Sequence, residues 1–287
     1  MAIRRILVPF AATEPAGKAL DAAFALARAL DAHVAVLHVR PDPQATVPLL
    51  GEGVSGAMVE ELITLTEREA ASHARQARSR FDARRAEAGL DIVESPTAHG
   101  PSVRWLEVTG REDDATVREG RLADLIVIGH AEGDGDPFTR ATLDAALFES
   151  GRPVLIAAGR PAAAAGDRVA IAWNGSAEAA RAVTAALPLL HRAADVRIYV
   201  VDAEVTRSDA GSGLVDFLAW HGITAEAGGL PSGQGAVGET LLAAAAADRI
   251  DLLVLGAYTH SRLRQLILGG VTRHLIEHAR LPLLMAH

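Results

Sequence analysis

The chain has 287 residues, 49% of them hydrophobic but only 4% aromatic, with no cysteine and a formal net charge of −8. Disulfides, thiolate metal sites and cysteine nucleophiles are thereby excluded, and a nucleic-acid backbone is disfavoured as main partner because that affinity rests on Lys and Arg neutralising phosphates. Ala, Leu, Val and Ile supply the apolar content, which suits helices packed on parallel strands, and the length suits two cores rather than one.

From Met1 the chain runs straight into the strand-like segment Ile6-Leu7-Val8-Pro9-Phe10. No longer apolar run of the signal-peptide kind precedes it, so a cytoplasmic location is expected. An Ala-rich helical pattern covers Ala16 to Leu30, and a long one runs from about Met58 to Ala88 inside the stretch Pro41 to Gly100. Val103-Arg104-Trp105-Leu106-Glu107-Val108 alternates as a half-exposed strand, with Trp105 read as a packing residue. Ala123 to Gly129 reads as a buried strand and Arg152 to Ile156 as the next. Arg160-Pro161-Ala162-Ala163-Ala164-Ala165-Gly166 has linker composition. Beyond it, strands are expected near 168–173, 195–201, 223–227, 251–255 and 282–286. The most apolar stretch, Leu241 to Ala257, is interrupted by Asp248, Arg249 and Asp251, so a helix end followed by a buried strand is expected, not a membrane span.

The second part of this series repeats the first. Ile6 to Phe10 returns as Val169 to Trp173, Ala16 to Leu30 as Ala179 to Ala193, Ala123 to Gly129 as Ile250 to Gly256, and Arg152 to Ile156 as Leu281 to Met285. The order is kept, which marks duplication of a whole domain and not a short solenoid repeat. Alternating apolar runs and helical patterns argue for βαβ units in a doubly wound α/β sheet, with domains at 1–160 and 167–287. Ligand sites in such sheets lie beyond the strand carboxyl ends where the strand order reverses, here beside the loops after Trp173 and Gly256.

The loop from Gly256 through Thr259, Arg262, Gly269 and Gly270 to Thr272 follows a buried strand and opens the last helix. It resembles the ATP-binding motif of the universal stress protein family, Gly-x2-Gly-x9-Gly-Ser/Thr, and the likeness spans almost the whole chain in the manner of tandem two-domain members. The resemblance implies two tandem, doubly wound, five-stranded parallel-sheet domains of Rossmann-like, adenine-nucleotide-hydrolase-like fold. The duplication, together with the pairing of single-domain members of that family, implies that the two domains pack about a pseudo-twofold axis with strands 153–157 and 282–286 near each other. The nucleotide site that the resemblance implies in the second copy comprises Asn174, Gly175, Ser176, Val201, Gly256, Thr259, Arg262, Gly269, Gly270, Val271 and Thr272. Its physical logic is that glycines let backbone N–H groups approach phosphate while a helix start adds its positive end.

Two positions depart from the motif. Thr259 stands where the family has its second glycine, and Gly270 stands where it has Ser or Thr. Thr272 is a candidate replacement hydroxyl, although a hydroxyl there also suits an N-cap. Asn174 takes the place of an Asp, keeping an acceptor without the charge. In the first copy the matching residues are Ala11, Arg140 and Ala141, and Glu132, Asp134, Asp136 and Asp144 add negative charge, so no nucleotide is expected there.

Other signals carry less. His274 and His278 lie four apart on one helix face, as metal ligands or as an exposed pair. Glu178 and Glu239 fit helix first turns, and Ser176 fits a cap. No nucleophile, general base or metal-holding carboxylates stand beside the loop, so the chain is expected not to be an enzyme. The reading is a stress-response protein binding ATP or another adenine nucleotide in its second copy, with a nucleotide-free interaction protein of the same fold as the alternative. A homo-oligomer is left open, and neither a membrane nor a nucleic acid is expected as partner.

Overall fold

The computed structural model describes residues 2–43, 56–95, 100–130, 137–158, 166–202, 211–231, 236–257 and 270–287. Strand β1 (Arg5–Pro9) forms where a short apolar run lets side chains alternate between two covered faces. Ile6 and Val8 enter the core on one face while Leu7 enters the core on the other. Helix α1 (Glu14–Leu30) starts at Thr13, whose hydroxyl accepts from the Ala16 N–H, and stops at Asp31 in the left-handed region. The first half continues with β2 (His33–Arg40), α2 (Gly56–Ala88), β3 (Asp91–Ile92), β4 (Ser102–Thr109), α3 (Glu112–Gly120), β5 (Leu125–Gly129), α4 (Pro137–Glu149) and β6 (Val154–Ala157). The second half comprises β7 (Arg168–Ala172), α5 (Ala177–Leu190), β8 (Asp195–Asp202), α6 (Ser212–Trp220), β9 (Glu226–Pro231), α7 (Val237–Ala247), β10 (Leu252–Gly256), α8 (Gly270–His278) and β11 (Leu283–Ala286).

The eleven strands of the described residues form one sheet in the order β3-β4-β2-β1-β5-β6-β11-β10-β7-β8-β9. Pairing within each half is parallel, and the halves repeat one topology: β4-β2-β1-β5-β6 in the first corresponds to β9-β8-β7-β10-β11 in the second. The expected five strands are present in the second half. The first half has a sixth, the two-residue β3, which follows α2 and pairs with Ser102 and Val103 at the outer flank of β4.

The halves join through β6 and β11, the single antiparallel pair of the described sheet. Leu155 lies opposite Leu284, and these occupy equivalent places in the two repeats, so a local twofold relates the halves as the duplication implied. Helices α1, α2, α5 and α6 cover one face of the sheet. The opposite face is covered by α3, α4, α7 and α8. Both cores contain residues of both halves. Two contacts reinforce the join: the His130 ring nitrogen Nε2 donates to the Ile276 carbonyl at 2.5 Å, and the Phe148 ring meets the His287 ring edge-to-face at 4.9 Å.

One strand lies later than the sequence pattern places it. Residues 223–227 read as a strand, but β9 begins at Glu226 and ends at Pro231. Ile223 and Ala225 are buried as expected of that pattern. They nevertheless serve the crossing from α6 to the sheet, and ladder pairing starts only at Glu226 opposite Arg197.

Candidate functional site

The strand order reverses at β1 in the first half and at β7 in the second, where β8 lies to one side and β10 to the other. In such sheets this point opens a crevice at the carboxyl ends of the strands. The chain leaves β7 through Trp173, whose N–H donates to the Tyr199 carbonyl at 2.9 Å. A tight turn follows. The Asn174 side-chain oxygen accepts from the Ser176 N–H at 3.1 Å, Gly175 holds φ +73°, and the Ser176 hydroxyl accepts from the Ala179 N–H at 3.1 Å. Asn174 thus folds an Asx turn, Gly175 takes the left-handed conformation, and Ser176 caps α5 as expected.

Gly256, the last residue of β10, has a clear packing duty. A Cβ built there would lie 2.5 Å from the Ala179 nitrogen and 2.8 Å from the Glu178 carbonyl carbon. The first turn of α5 therefore crosses directly over the end of β10, bringing the positive end of that helix to the switch point. The first half repeats the device, since a Cβ on Gly129 would lie 2.1 Å from the Pro15 carbonyl oxygen. The shared glycine ending both Leu-Ile-Val-Ile-Gly and Leu-Leu-Val-Leu-Gly is the sequence signal for this crossing.

The structure brings Asn174, Gly175, Ser176 and Gly256 to one end of the sheet. Val201 stands near the carboxyl end of β8, half-buried against the core under α7 and α8. Gly270 opens α8 with no described residue within 4 Å of its Cβ position, Val271 is half-buried, and Thr272 is buried at 5% exposure. Thr272 lies inside the helix that Gly270 begins, so it does not stand at the N-cap position its hydroxyl suggested. Thr259, Arg262 and Gly269 lie outside the described residues.

The corresponding end of the first half is occupied by the protein itself. Arg80 of α2 donates to the Ala12 carbonyl in the turn after β1. Phe10, His38 and Phe81 gather around Trp105, with His38 stacked on it at 5.6 Å and the Arg78 guanidinium 5.5 Å from its ring centroid. Buried His38 also hydrogen-bonds the Phe10 carbonyl through Nδ1 at 2.9 Å. Where the second copy has Gly269, the first has Arg140, paired with Asp144 at 3.2 Å. Burial pushes the Asp144 carboxyl above its ordinary value, against the opposing effect of Arg140. Trp105 is the packing residue that the alternating strand pattern suggested, although nothing in that pattern showed how many rings it gathers.

Glu178 lies in the first turn of α5 and pairs with Arg181 at 2.9 Å. The His274 and His278 rings stack at 4.3 Å, His278 spends Nδ1 on the His274 carbonyl, and a Cβ on Gly238 of α7 would lie 2.7 Å from the His274 ring. Among the described residues no group of three or more His, Asp or Glu side chains is arranged to hold a metal ion. Nor is any described helix long and apolar enough to cross a membrane.

A duplicated, doubly wound parallel sheet with a glycine at each switch-point strand end defines a tandem Rossmann-like α/β protein. The chain belongs to the universal stress protein family, whose family model matches residues 2–150 and 232–287. The turn Asn174-Gly175-Ser176 and Val201 fall between the matched segments. A universal stress protein structure from Archaeoglobus fulgidus is similar over 98% of this chain and 97% of its own, at 14% identity and a TM-score of 0.69. Two Pseudomonas aeruginosa structures, one of a functionally unknown protein and one of a putative universal stress protein, each cover 99% of this chain. They match over 92% and 93% of their own lengths, at 16% and 17% identity and TM-scores of 0.58 and 0.56. No curated protein matches the sequence.

Proposed function

We propose that the protein binds one adenine nucleotide per chain at the switch point of its second half, without appreciable turnover, as a cytoplasmic component of a stress response. The observation that carries this reading is the asymmetry between the halves. In the second, Asn174 and Gly175 hold an exposed turn beside the α5 N-terminus, and Gly270 opens α8 with no described residue against its Cβ position. In the first, Arg80 occupies the turn carbonyl at Ala12, and the Arg140–Asp144 pair stands at the glycine position. Backbone N–H groups with no side chain in the way, at a helix start, suit phosphate.

A second reading, a nucleotide-free interaction protein, draws on Gly256. Packing against the backbone of Glu178 and Ala179 in α5 accounts for that glycine in full. The test is acid extraction of the purified protein for ATP, ADP or AMP, followed by calorimetric titration with ATP. One site per chain is expected, tightened by Thr259→Gly, which removes a Cβ from the glycine position of the motif, and lost in Gly269→Val with the fold intact. Two equivalent sites would refute the asymmetry, and no binding in any variant would favour the interaction reading.

A further inference from the structure

The strongest unused feature is the amino-terminal half of α2. Its 33 residues correspond to roughly 50 Å of helix. Its buried residues are Ala70, Ala74, Ala77 and Phe81; in the segment 56–69 that stripe continues only as half-buried Val59, Ile63 and Thr66, and no residue is buried. That segment nevertheless carries large apolar side chains facing solvent: Met58 is 58% exposed, Leu62 37% and Leu65 52%. Their spacings of four and three place them on one seam, the pattern by which helices pair. Glu61 and Arg68, both exposed, lie seven residues apart along one flank of that seam.

We propose that this seam pairs antiparallel with the same seam of a second copy of the chain. Antiparallel pairing sets Leu62 against Leu65 of the second copy, and the twofold then repeats the contact. The same register brings Glu61 near Arg68 of the second copy, and Arg68 near its Glu61, so the flank is self-complementary in charge. Closed twofold pairing of one patch on itself is the commonest assembly of soluble proteins. Sheet-edge pairing through the last strands is already used within the chain, because β6 lies between β5 and β11, and β11 between β6 and β10. A seam this short covers less than the roughly 1,600 Å² of a standard interface, so the dimer is weak and reversible.

Sedimentation velocity over rising concentrations of the full chain tests the proposal. A monomer–dimer equilibrium is expected. Glu61→Arg or Arg68→Glu alone should weaken it about tenfold, because each loses two exposed pairs and creates two like-charge contacts. The double variant should restore dimerisation, and Leu62→Glu should abolish it. Each substitution is on an exposed helix surface, so unchanged circular dichroism serves as the folding control. The chain has no native cysteine, which allows a direct reading of register. Random pairing in an equimolar mixture of Leu62→Cys and tagged Leu65→Cys proteins gives mixed disulfide at twice the amount of either homodimer, and the register should raise it well above that ratio on oxidation. A monomer at every concentration, a dimer indifferent to the charge changes, or mixed disulfide at or below the twofold random ratio would overturn the proposal.

Discussion

Three glycines of the repeated loops divide by what surrounds them. At Gly256 a methyl group would meet the backbone of α5 at 2.5 Å, and at Gly129 it would meet the Pro15 carbonyl at 2.1 Å, whereas at Gly270 nothing among the described residues lies within 4 Å. Backbone atoms of a docked helix cannot swing aside as a flexible side-chain tip can, so the added Cβ forces the helix off the strand end. Gly256→Ala and Gly129→Ala should each therefore cost about 1–3 kcal/mol or more. Gly270→Ala, at a helix start with φ in the ordinary range, should be neutral or stabilising by about 0.5–1 kcal/mol. Urea denaturation of the three variants checks the contrast, and a Gly256→Ala protein as stable as the wild type would contradict the close crossing of α5.

Elements are tied to one another by polar contacts as well as apolar faces. Asp195 on β8 accepts from Arg168 on β7 at 3.0 Å and from Arg197 at 3.3 Å, while Arg197 also pairs with Asp248 at the end of α7 at 3.0 Å. The Tyr199 hydroxyl donates to Asp248 at 2.6 Å, and burial, ahead of that hydrogen bond, raises its ionisation well above the ordinary tyrosine value. The hydrogen bond from Arg168, outweighing the opposing effect of burial and joined by that from Arg197, holds the Asp195 carboxyl below its ordinary value. An acid whose folded value is depressed stabilises the fold above its unfolded value, and that stability is lost as pH falls through the folded one. Asp195→Asn should therefore cost about 0.5–1 kcal/mol at neutral pH, and the gap should narrow below about pH 3. Denaturation midpoints at the two pH values check this, and a gap that widens on acidification would reverse the assignment. Much of this element framework was legible in the sequence, because fully buried strands such as Leu252–Gly256 are unbroken apolar runs and the duplication supplied each reading twice. The pattern at 223–227 misled because burial of Ile223 and Ala225 looks alike in a strand and in a crossing segment. The two-residue β3 was invisible, since a pairing that short leaves no periodicity. At the candidate site, the Ser176 cap was legible as local chemistry, but the duty of Gly256 toward α5 depends on a contact across about eighty residues of chain.

The whole molecule is more than two domains on a tether. One sheet runs through both halves, and each of the two cores that flank it contains residues from both, with Leu155 and Leu284 in the same cluster. His130 reaching the Ile276 carbonyl and Phe148 meeting His287 add contacts across the join. Separating the halves would bare two apolar edge strands, β6 and β11, which proteins normally keep covered. The cost of that exposure couples the halves, so unfolding should be a single transition despite the duplicated sequence. Tryptophans placed in each half allow the test: Trp105 packs in the first half and Trp173 in the second. With the other two of the three tryptophans replaced by Phe, each should report the same urea midpoint. Leu284→Ala, which empties a fully buried site at the join, should lower both midpoints together by the equivalent of about 2–5 kcal/mol. A Trp173 signal that is lost while the Trp105 signal stays folded would show that the halves unfold separately, and that the β6–β11 pairing is too weak to couple them.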